Sequence, residues 1–279
     1  MTDSAVYNDT FNREVISFYI QAVNRVHNSD MIGAVESCVE LTRSNYTILH
    51  EFYAVTRKYD EVAALIVADH AHQKLIIAFR SSDSISQFFA QGFTMVLGMM
   101  EDFKLGGKML SYYNRAYNDM IEQKFGAILR DSIQKYPTYQ PLTCGHSLGG
   151  TLATIFSLHI AMNFNVDVIE YAWSGPRAGD EGFVALHRKF VKHAFRIIRD
   201  GDWVPDTPFR ISQNLPNPHH TPYEVFYGSH MSASNYHICP QAETEECNKG
   251  SWWRFPAVSH IFMFDQNYIN YLLKNCTKD

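Results

Sequence analysis

The stretch Gln140-Pro-Leu-Thr-Cys-Gly-His-Ser-Leu-Gly-Gly-Thr-Leu-Ala-Thr-Ile-Phe156 changes its pattern twice within a short span. Its first part, Gln140 to Cys144, is a short apolar run that is typical of a buried strand. The glycines that follow indicate a tight turn, with Ser147 at its centre. From Thr151 to about Phe164 the residues are apolar on every side, which predicts a buried helix. The stretch therefore predicts a strand, a sharp turn and a helix in immediate succession.

Strand-like and helix-like segments alternate on both sides of this stretch. Short apolar runs that predict strands occupy residues 52–56, 62–68, 74–80, 166–173 and 194–199. Helical spacing predicts helices over about residues 9–41, from Tyr112 to Lys135, from Asp180 to Phe190, and at the end from Phe264 to Leu273. This alternation predicts an α/β protein, whose mainly parallel central sheet carries helices on both faces.

Length and composition limit the classes of protein to consider. The chain has 279 residues, of which 46% are hydrophobic and 19% charged, as expected for one globular domain over residues 1–279. A net charge of −5 offers no basic surface for a nucleic-acid partner. No apolar run reaches the roughly eighteen residues of a transmembrane segment. Residues 1–20 do not read as a signal peptide, so the protein is either cytoplasmic or its leader is absent from this sequence.

Sequons and cysteines favour the second of these alternatives, a secreted protein. The three glycosylation sequons begin at Asn8, Asn45 and Asn275. Cys239–Cys247 would close a short loop, and Cys38–Cys276 would tie the N-terminal helices to the C-terminus. Cys144 lies on the predicted buried strand, so we expect it to be buried and free.

Ser147 is the candidate nucleophile. A strand, a tight turn and a helix expose a serine at the top of a parallel sheet, with small residues on either side of it. The helix N-terminus there favours developing negative charge. The alternative is a glycine-rich turn with an inert serine, and the flanking strand and helix favour the nucleophile.

A serine hydroxyl needs a base, and the base needs an orienting carboxylate. After a turn of this kind the partners follow in the order Asp, then His. Asp202 follows the strand at 194–199, and it is preferred to Asp200 and Asp206 because Trp203-Val-Pro205 would bury its carboxylate. His260 is preferred as the base because it lies on the last loop before an apolar run, and His237 is the second choice.

Two further features complete the candidate site. The N–H of Leu148, together with Ser82 after an earlier strand, would form an oxyanion hole, although Ser82 also suits a helix N-cap. Residues 83–100, with Phe88 and Phe89, predict a short helical lid over an apolar site. A core-packed segment is the alternative for residues 95–100. His70-Ala-His72 lies on a predicted hairpin tip without further ligands nearby in sequence, so no metal or other cofactor is expected.

From about Tyr53 to Phe264 the chain resembles the class 3 lipases, which have the α/β-hydrolase fold. The motifs that carry this resemblance are Ala78-Phe-Arg-Ser-Ser82, Gly145-His-Ser-Leu-Gly149, Ser174-Gly-Pro-Arg-Ala-Gly179, Asp202-Trp-Val-Pro205 and the late His260. The resemblance implies a Ser147–Asp202–His260 triad, an oxyanion hole from Ser82 and Leu148, and a lid after Ser82. It assigns structural roles to Arg80 and Arg177.

Three departures from the family pattern bear on specificity. Ser81 stands where glycine is usual, Phe88 stands where the lid usually has tryptophan, and Thr207-Pro208 replaces a common Leu-Pro. By resemblance, the substrate is a lipid or other apolar ester, met at a lipid–water interface, with headgroup and chain length left open. The alternatives are a catalytically silent lipase-like binding or scaffold protein and a soluble short-chain or feruloyl-type esterase.

Overall fold

The computed structural model describes residues 7–26, 34–56, 61–81, 100–208, 217–242, 247, 258–264 and 266–267. Its strands, numbered along the chain, are β1 (Tyr46–Val55), β2 (Glu61–Asp69), β3 (Lys74–Phe79), β4 (Met100–Asp102), β5 (Lys108–Leu110), β6 (Gln140–His146), β7 (Ile169–Trp173), β8 (His193–Arg199), β9 (Glu224–Tyr227), β10 (Tyr236–Cys239), β11 (Phe262–Met263) and β12 (Gln266–Asn267). Its α-helices are α1 (Asp9–Phe11), α2 (Ser17–Val23), α3 (Ala34–Val39), α4 (Ser111–Glu122), α5 (Phe125–Lys135), α6 (Leu148–Phe164), α7 (Glu181–Phe190) and α8 (Val258–Ile261).

The main sheet of the described chain has eight strands in the order β1-β2-β3-β6-β7-β8-β9-β10. The inner strands from β3 to β9 are parallel, and β1, β2 and β10 pair antiparallel at the two edges. The connection from β6 to β7 contains α6, and the connection from β7 to β8 contains α7. Parallel neighbours need such long crossover connections, which are usually helical. The predicted α/β fold with a mainly parallel sheet is confirmed.

Helices cover both faces of the sheet, also as predicted. Side chains alternate across each strand, so neighbours such as Ile76 and Ile77 enter different cores. One core contains residues of α4, α5, α6 and α7, and the other contains residues of α2 and α3. Within the described part of the chain, no helix is both long and apolar enough to cross a bilayer.

The helix predicted from Tyr112 to Lys135 is two helices, because Lys124 adopts a left-handed backbone conformation with φ of +71°. The break directs Phe125 into the core. The centroid of its ring lies 4.7 Å from the ring centroid of Phe52 and 5.1 Å from that of Phe156. Hydrophobic spacing continues through the break, and this is why the sequence pattern does not reveal it.

The end of the chain also departs from the prediction. Phe264 lies in a turn between β11 and β12, so the predicted closing helix does not begin there. The rest of that predicted helix, residues 268–273, lies outside the described residues, as does the predicted lid up to residue 99. Met100, the last residue of the predicted lid, begins β4 instead.

The N-terminal helix is bound to the centre of the sheet. Between α1 and α2 its backbone forms a π-helical segment, Asn12–Ile16. Within this segment Asn12 is fully buried, and its side-chain oxygen accepts a hydrogen bond from the Trp173 indole N–H at 2.9 Å. The Asn12 side-chain nitrogen donates to the Tyr7 hydroxyl at 2.7 Å. A buried polar side chain therefore joins this helix to the end of β7.

A second buried polar group lies beneath α6. Glu170 of β7 is fully buried and accepts hydrogen bonds from Thr154 at 2.7 Å, Ser157 at 2.6 Å and His187 at 2.7 Å. Burial raises the pKa of Glu170, but the charge and hydrogen bond of His187 and the two hydroxyl groups outweigh it. The pKa of Glu170 is therefore held below its usual value.

We predict that Glu170 contributes stability which is lost in acid. A carboxyl whose folded pKa is lowered stabilises the fold above its unfolded pKa of roughly 4.5, and the contribution disappears as pH falls through the folded value. Glu170→Gln should lower the free energy of unfolding at pH 7 by about 3–5 kcal/mol, because it breaks a buried pair. Urea unfolding at pH 7 and between pH 5 and 3 should show the gap to wild type shrinking in acid.

The matched control is Glu14→Gln, which changes an exposed carboxylate on the N-terminal helix. It should alter the free energy of unfolding by less than about 0.5 kcal/mol. A constant gap between wild type and Glu170→Gln across this pH range would contradict the prediction.

Candidate active site

Ser147 lies in a strained turn between β6 and α6. Its backbone has φ of +56° and ψ of −123°, a combination that residues with a side chain rarely adopt. Its N–H donates to the Trp173 carbonyl at 2.9 Å, and its own carbonyl accepts from Thr151 N–H at 3.2 Å. These bonds fix the turn to β7 on one side and to the first turn of α6 on the other.

Two glycines make this turn possible through close approach of main chains. A Cβ atom on Gly149 would lie 2.1 Å from the Phe79 carbonyl oxygen, and one on Gly145 would lie 2.3 Å from Gly149. Neither separation is sterically allowed. At these glycines the main chains of β3, β6 and α6 are therefore in direct contact, with no side chain between them. This contact holds Ser147 at the carboxyl edge of the sheet, where sites of α/β proteins form.

Asp202 and His260 meet in a buried pair. His260 Nδ1 lies 3.1 Å and 3.0 Å from the two carboxylate oxygens of Asp202. Both residues are almost completely buried, at 2% and 1% exposure. The Val204 N–H also donates to Asp202 Oδ1 at 3.0 Å, so the carboxylate direction is fixed from its own loop.

The Asp202 carboxyl is held ionised. Burial raises its pKa, but the charge and hydrogen bond of His260, with hydrogen bonds from Ser174 and the Val204 N–H, outweigh that effect. The pKa of Asp202 therefore lies below its usual value. A carboxylate acceptor requires the proton of His260 on Nδ1, and this leaves Nε2 as the nitrogen that can take up a proton.

Glycine at position 201 shapes the loop that presents Asp202. Gly201 has φ of +83°, and a Cβ atom there would lie 3.0 Å from the Ser259 hydroxyl. The loop after β8 thus passes close to the residue before His260. Sequence reasoning did not single out Gly201, although a glycine between two aspartates after a strand is a recognisable turn signal.

The histidine of the pair is linked to the turn of the candidate nucleophile. His146, the residue before Ser147, has its Nε2 2.8 Å from the His260 carbonyl oxygen. Sequence reasoning placed His146 only inside the motif and gave it no role. The second-choice histidine, His237, is an exposed residue of β10, and no contact between it and Asp202 is found in the described chain.

The other predicted site residues are placed as follows. Leu148 is the first residue of α6 and is buried, whereas Ser82, Phe88 and Phe89 lie outside the described residues. Arg80 donates to the Val26 carbonyl at 2.9 Å and to Glu61 at 3.0 Å, and Arg177 donates to the carbonyls of Asp206 and Pro208. Arg80 thus links the end of β3 to the N-terminal helical region and to β2, and Arg177 links the loop after β7 to the segment that ends at Pro208.

The structure contains the disulfide Cys239–Cys247, with Cα atoms 6.2 Å apart, and leaves Cys144 buried and free. Cys38 is also disulfide-bonded, while its predicted partner Cys276 lies outside the described residues.

Asn8 and Asn45, the first two sequon asparagines, are exposed, and Asn275 lies outside the described residues. No three His, Cys, Asp or Glu side chains in the described ranges are grouped to hold a metal ion.

The chain is similar to known lipases. Residues 76–212 match the model of the family Lipase (class 3). A lipase of Caenorhabditis elegans is 27% identical over 211 residues, which cover 74% of this chain and 57% of the relative. The secreted mono- and diacylglycerol lipase A of Penicillium camembertii is 25% identical over 175 residues, which cover 62% of this chain and 54% of the relative. The chain therefore spans little more than half the length of these curated relatives.

The fold has a solved counterpart. The crystal structure of a lipase from Rhizopus microsporus var. chinensis superposes with a TM-score of 0.76 at 18% identity, and the match covers 94% of this chain and 89% of that one. The α/β-hydrolase fold is thus confirmed. Together with the matched segment 76–212, which contains most of β3 and all of β6 with Ser147 and Asp202, these findings confirm the resemblance of this chain to the class 3 lipases.

Proposed function

We propose that this chain is a serine ester hydrolase that acts on acylglycerols or related lipid esters. Ser147 is the nucleophile, His260 the general base and Asp202 the carboxylate that orients the base. The observation that carries this proposal is the buried His260–Asp202 pair, tied through His146 to the strained turn of Ser147. The similarity to lipases, including relatives named mono- and diacylglycerol lipases, supports the choice of substrate class.

The proposed reaction has two halves. Ser147 Oγ attacks the ester carbonyl carbon while its proton passes to His260 Nε2. The ester C–O bond then breaks, the alcohol leaves with the proton from His260, and the acyl group stays on Ser147. Water attacks this acyl-enzyme and gives a proton to His260, which returns it to Ser147 Oγ as the fatty acid departs.

Charge develops at two places during these steps, on the imidazole of His260 and on the carbonyl oxygen of the ester. The Asp202 carboxylate, kept ionised by its lowered pKa, holds His260 in the required tautomer and stabilises the imidazolium. The Leu148 N–H at the start of α6, with Ser82, would bind the oxyanion that forms on the carbonyl oxygen. The N-terminus of α6 favours this negative charge, since its amide groups point towards it.

The substrate would be met at a lipid surface outside the cell. The lid hypothesis, restricted to residues 83–99 because Met100 begins β4, predicts that Phe88 and Phe89 cover an apolar site in water. An extracellular location is supported by the Cys239–Cys247 disulfide, because such bonds persist in oxidising compartments. It is also supported by secreted relatives in Penicillium and Malassezia.

The nucleophile is tested by Ser147→Ala. We expect this variant to remain folded while kcat for a soluble short-chain ester falls by on the order of 10⁴ or more, because the covalent route is lost. Labelling by a fluorophosphonate probe should also disappear. Ser132→Ala, which removes a buried hydroxyl that donates to the Ile128 carbonyl within α5, is the control that must still be labelled. A wild-type protein that neither hydrolyses esters nor reacts with the probe would instead be the catalytically silent scaffold.

The carboxylate is tested by Asp202→Asn. An amide can present its NH₂ to His260 and so favours the wrong tautomer, and kcat should fall by about 10⁴. Asp200→Asn, two residues earlier on the same loop, should keep kcat within about threefold of wild type. Equal losses in the two variants, measured on the same short-chain ester, would exclude Asp202 as the specific partner of His260.

Interfacial behaviour is tested with a triglyceride titrated through its solubility limit. Burial of an aromatic ring is worth roughly 1.5–3 kcal/mol, so two rings could hold a lid closed in water by a few kcal/mol. A lipid surface removes most of this cost, and the rate should rise sharply above the limit. Phe88→Ser with Phe89→Ser should flatten the rise. Smooth saturation in the wild type would indicate a soluble esterase.

A further inference from the structure

We propose that His146 is a positioning residue for the general base, and that it holds the main chain of His260 in place beside Ser147. This proposal rests on the proposed function, because it assigns His146 a part in the same reaction. His146 is fully buried, and its Nε2 lies 2.8 Å from the His260 carbonyl oxygen. A carbonyl oxygen can only accept, so the Nε2 of His146 carries the proton.

The two imidazole rings are also packed on each other. Their centroids lie 4.6 Å apart with an angle of 35° between the planes. His146 therefore contacts His260 twice, through a hydrogen bond to its main chain and through its ring face. Asp202 fixes the opposite side of the His260 ring through Nδ1. The base is thus held at two points, one at the end of β6 and one on the loop after β8.

His146 is itself anchored on the side away from His260. The Ser81 hydroxyl lies 3.0 Å from the His146 carbonyl oxygen and 3.3 Å from His146 Nδ1. The Ser81 N–H in turn donates to the Asn24 side chain at 3.1 Å. These contacts connect the end of β3 and the N-terminal helical region to the residue before the nucleophile. The residue at position 81, usually glycine in the resembling family, here supplies a hydroxyl to this anchor.

The charge state of His146 suits the role. Burial, and to a smaller extent the charge of His260, lowers the pKa of His146 to about 3, so the His146 ring is neutral near pH 7. A neutral ring keeps its single N–H on the carbonyl and adds no positive charge beside His260. A cation in this position would oppose the formation of the imidazolium during the reaction.

His260 needs such support because its own element is short. The helix α8 has four residues, too few to be stable without tertiary contacts. A displacement of about 1 Å in a catalytic group can reduce the rate by about 100-fold. The hydrogen bond from His146 to the His260 carbonyl and the packing of the two rings would prevent such a displacement.

The test compares two substitutions at position 146 with a matched control, all in the full chain. His146→Phe keeps a ring for packing but has no donor, whereas His146→Gln places an amide N–H near the position of Nε2. His159→Phe removes a different buried imidazole, which lies on α6 and has its Nδ1 2.9 Å from the Tyr117 hydroxyl in the core. The assay is steady-state hydrolysis of a soluble short-chain ester, with thermal unfolding measured for each protein.

We expect His146→Phe to lower kcat by about 10- to 100-fold with KM within about twofold of wild type, since substrate binding does not depend on the base. His146→Gln should restore kcat to within about fivefold of wild type, and His159→Phe should leave it unchanged. If His146→Phe destabilises the fold, the kcat of His146→Gln at equal folded fraction still tests the donor.

Other results separate failure of this proposal from failure of the proposed function. If wild type hydrolyses the ester and reacts with the fluorophosphonate probe, but folded His146→Phe keeps a kcat within twofold, the positioning role is wrong and the triad stands. It is equally wrong if His146→Gln is as slow as His146→Phe. If wild type itself shows neither hydrolysis nor labelling, the proposed function is wrong.

Discussion

The contact between bare main chains at Gly145 and Gly149 is the constraint on which the rest of the site depends. With a Cβ at Gly149 only 2.1 Å from the Phe79 carbonyl oxygen, any larger residue would push α6 away from β3 and β6. The close contact leaves no room for a relaxed turn, so Ser147 takes its strained backbone conformation. The Asp202–His260 pair is joined to this turn through the hydrogen bond between His146 and the His260 carbonyl.

The structure contains two buried carboxylates, Glu170 and Asp202, that have similar electrostatic surroundings but different positions in the fold. Glu170 and Asp202 are both fully enclosed, both pair with a histidine, and both have a lowered pKa for the same balance of burial against hydrogen bonds and charge. Glu170 is held between β7, α6 and α7, where every partner belongs to a regular element. Asp202 lies on the loop after β8 and pairs with a histidine on a four-residue helix. Of the two histidines, only His260 is hydrogen-bonded to His146, the residue before Ser147.

The sequence predicted those features that depend on local patterns. The strand, turn and helix around Ser147 follow from apolar runs and glycines, and the order of serine, aspartate and histidine follows from the topology of such sheets. Apolar spacing did not reveal the break at Lys124, because Phe125 continues the pattern on the same face. Strands β9 and β10 were missed, since each has only four residues among prolines and polar side chains. The role of His146 depends on a contact 114 positions along the chain, which no local pattern records.

The π-helical segment at Asn12–Ile16 makes the N-terminal helix part of the architecture around Ser147. Asn12 binds the indole of Trp173, and the carbonyl of the same tryptophan accepts the N–H of Ser147. Removal of the first helix by a protease would therefore take away more than a surface layer, because it would free the end of β7 and expose the apolar residues of the sheet that α2 covers. A truncated chain that begins after this helix would therefore be less stable than the chain that contains it. Fusion partners are accordingly better attached through a flexible spacer ahead of the helix than spliced into it.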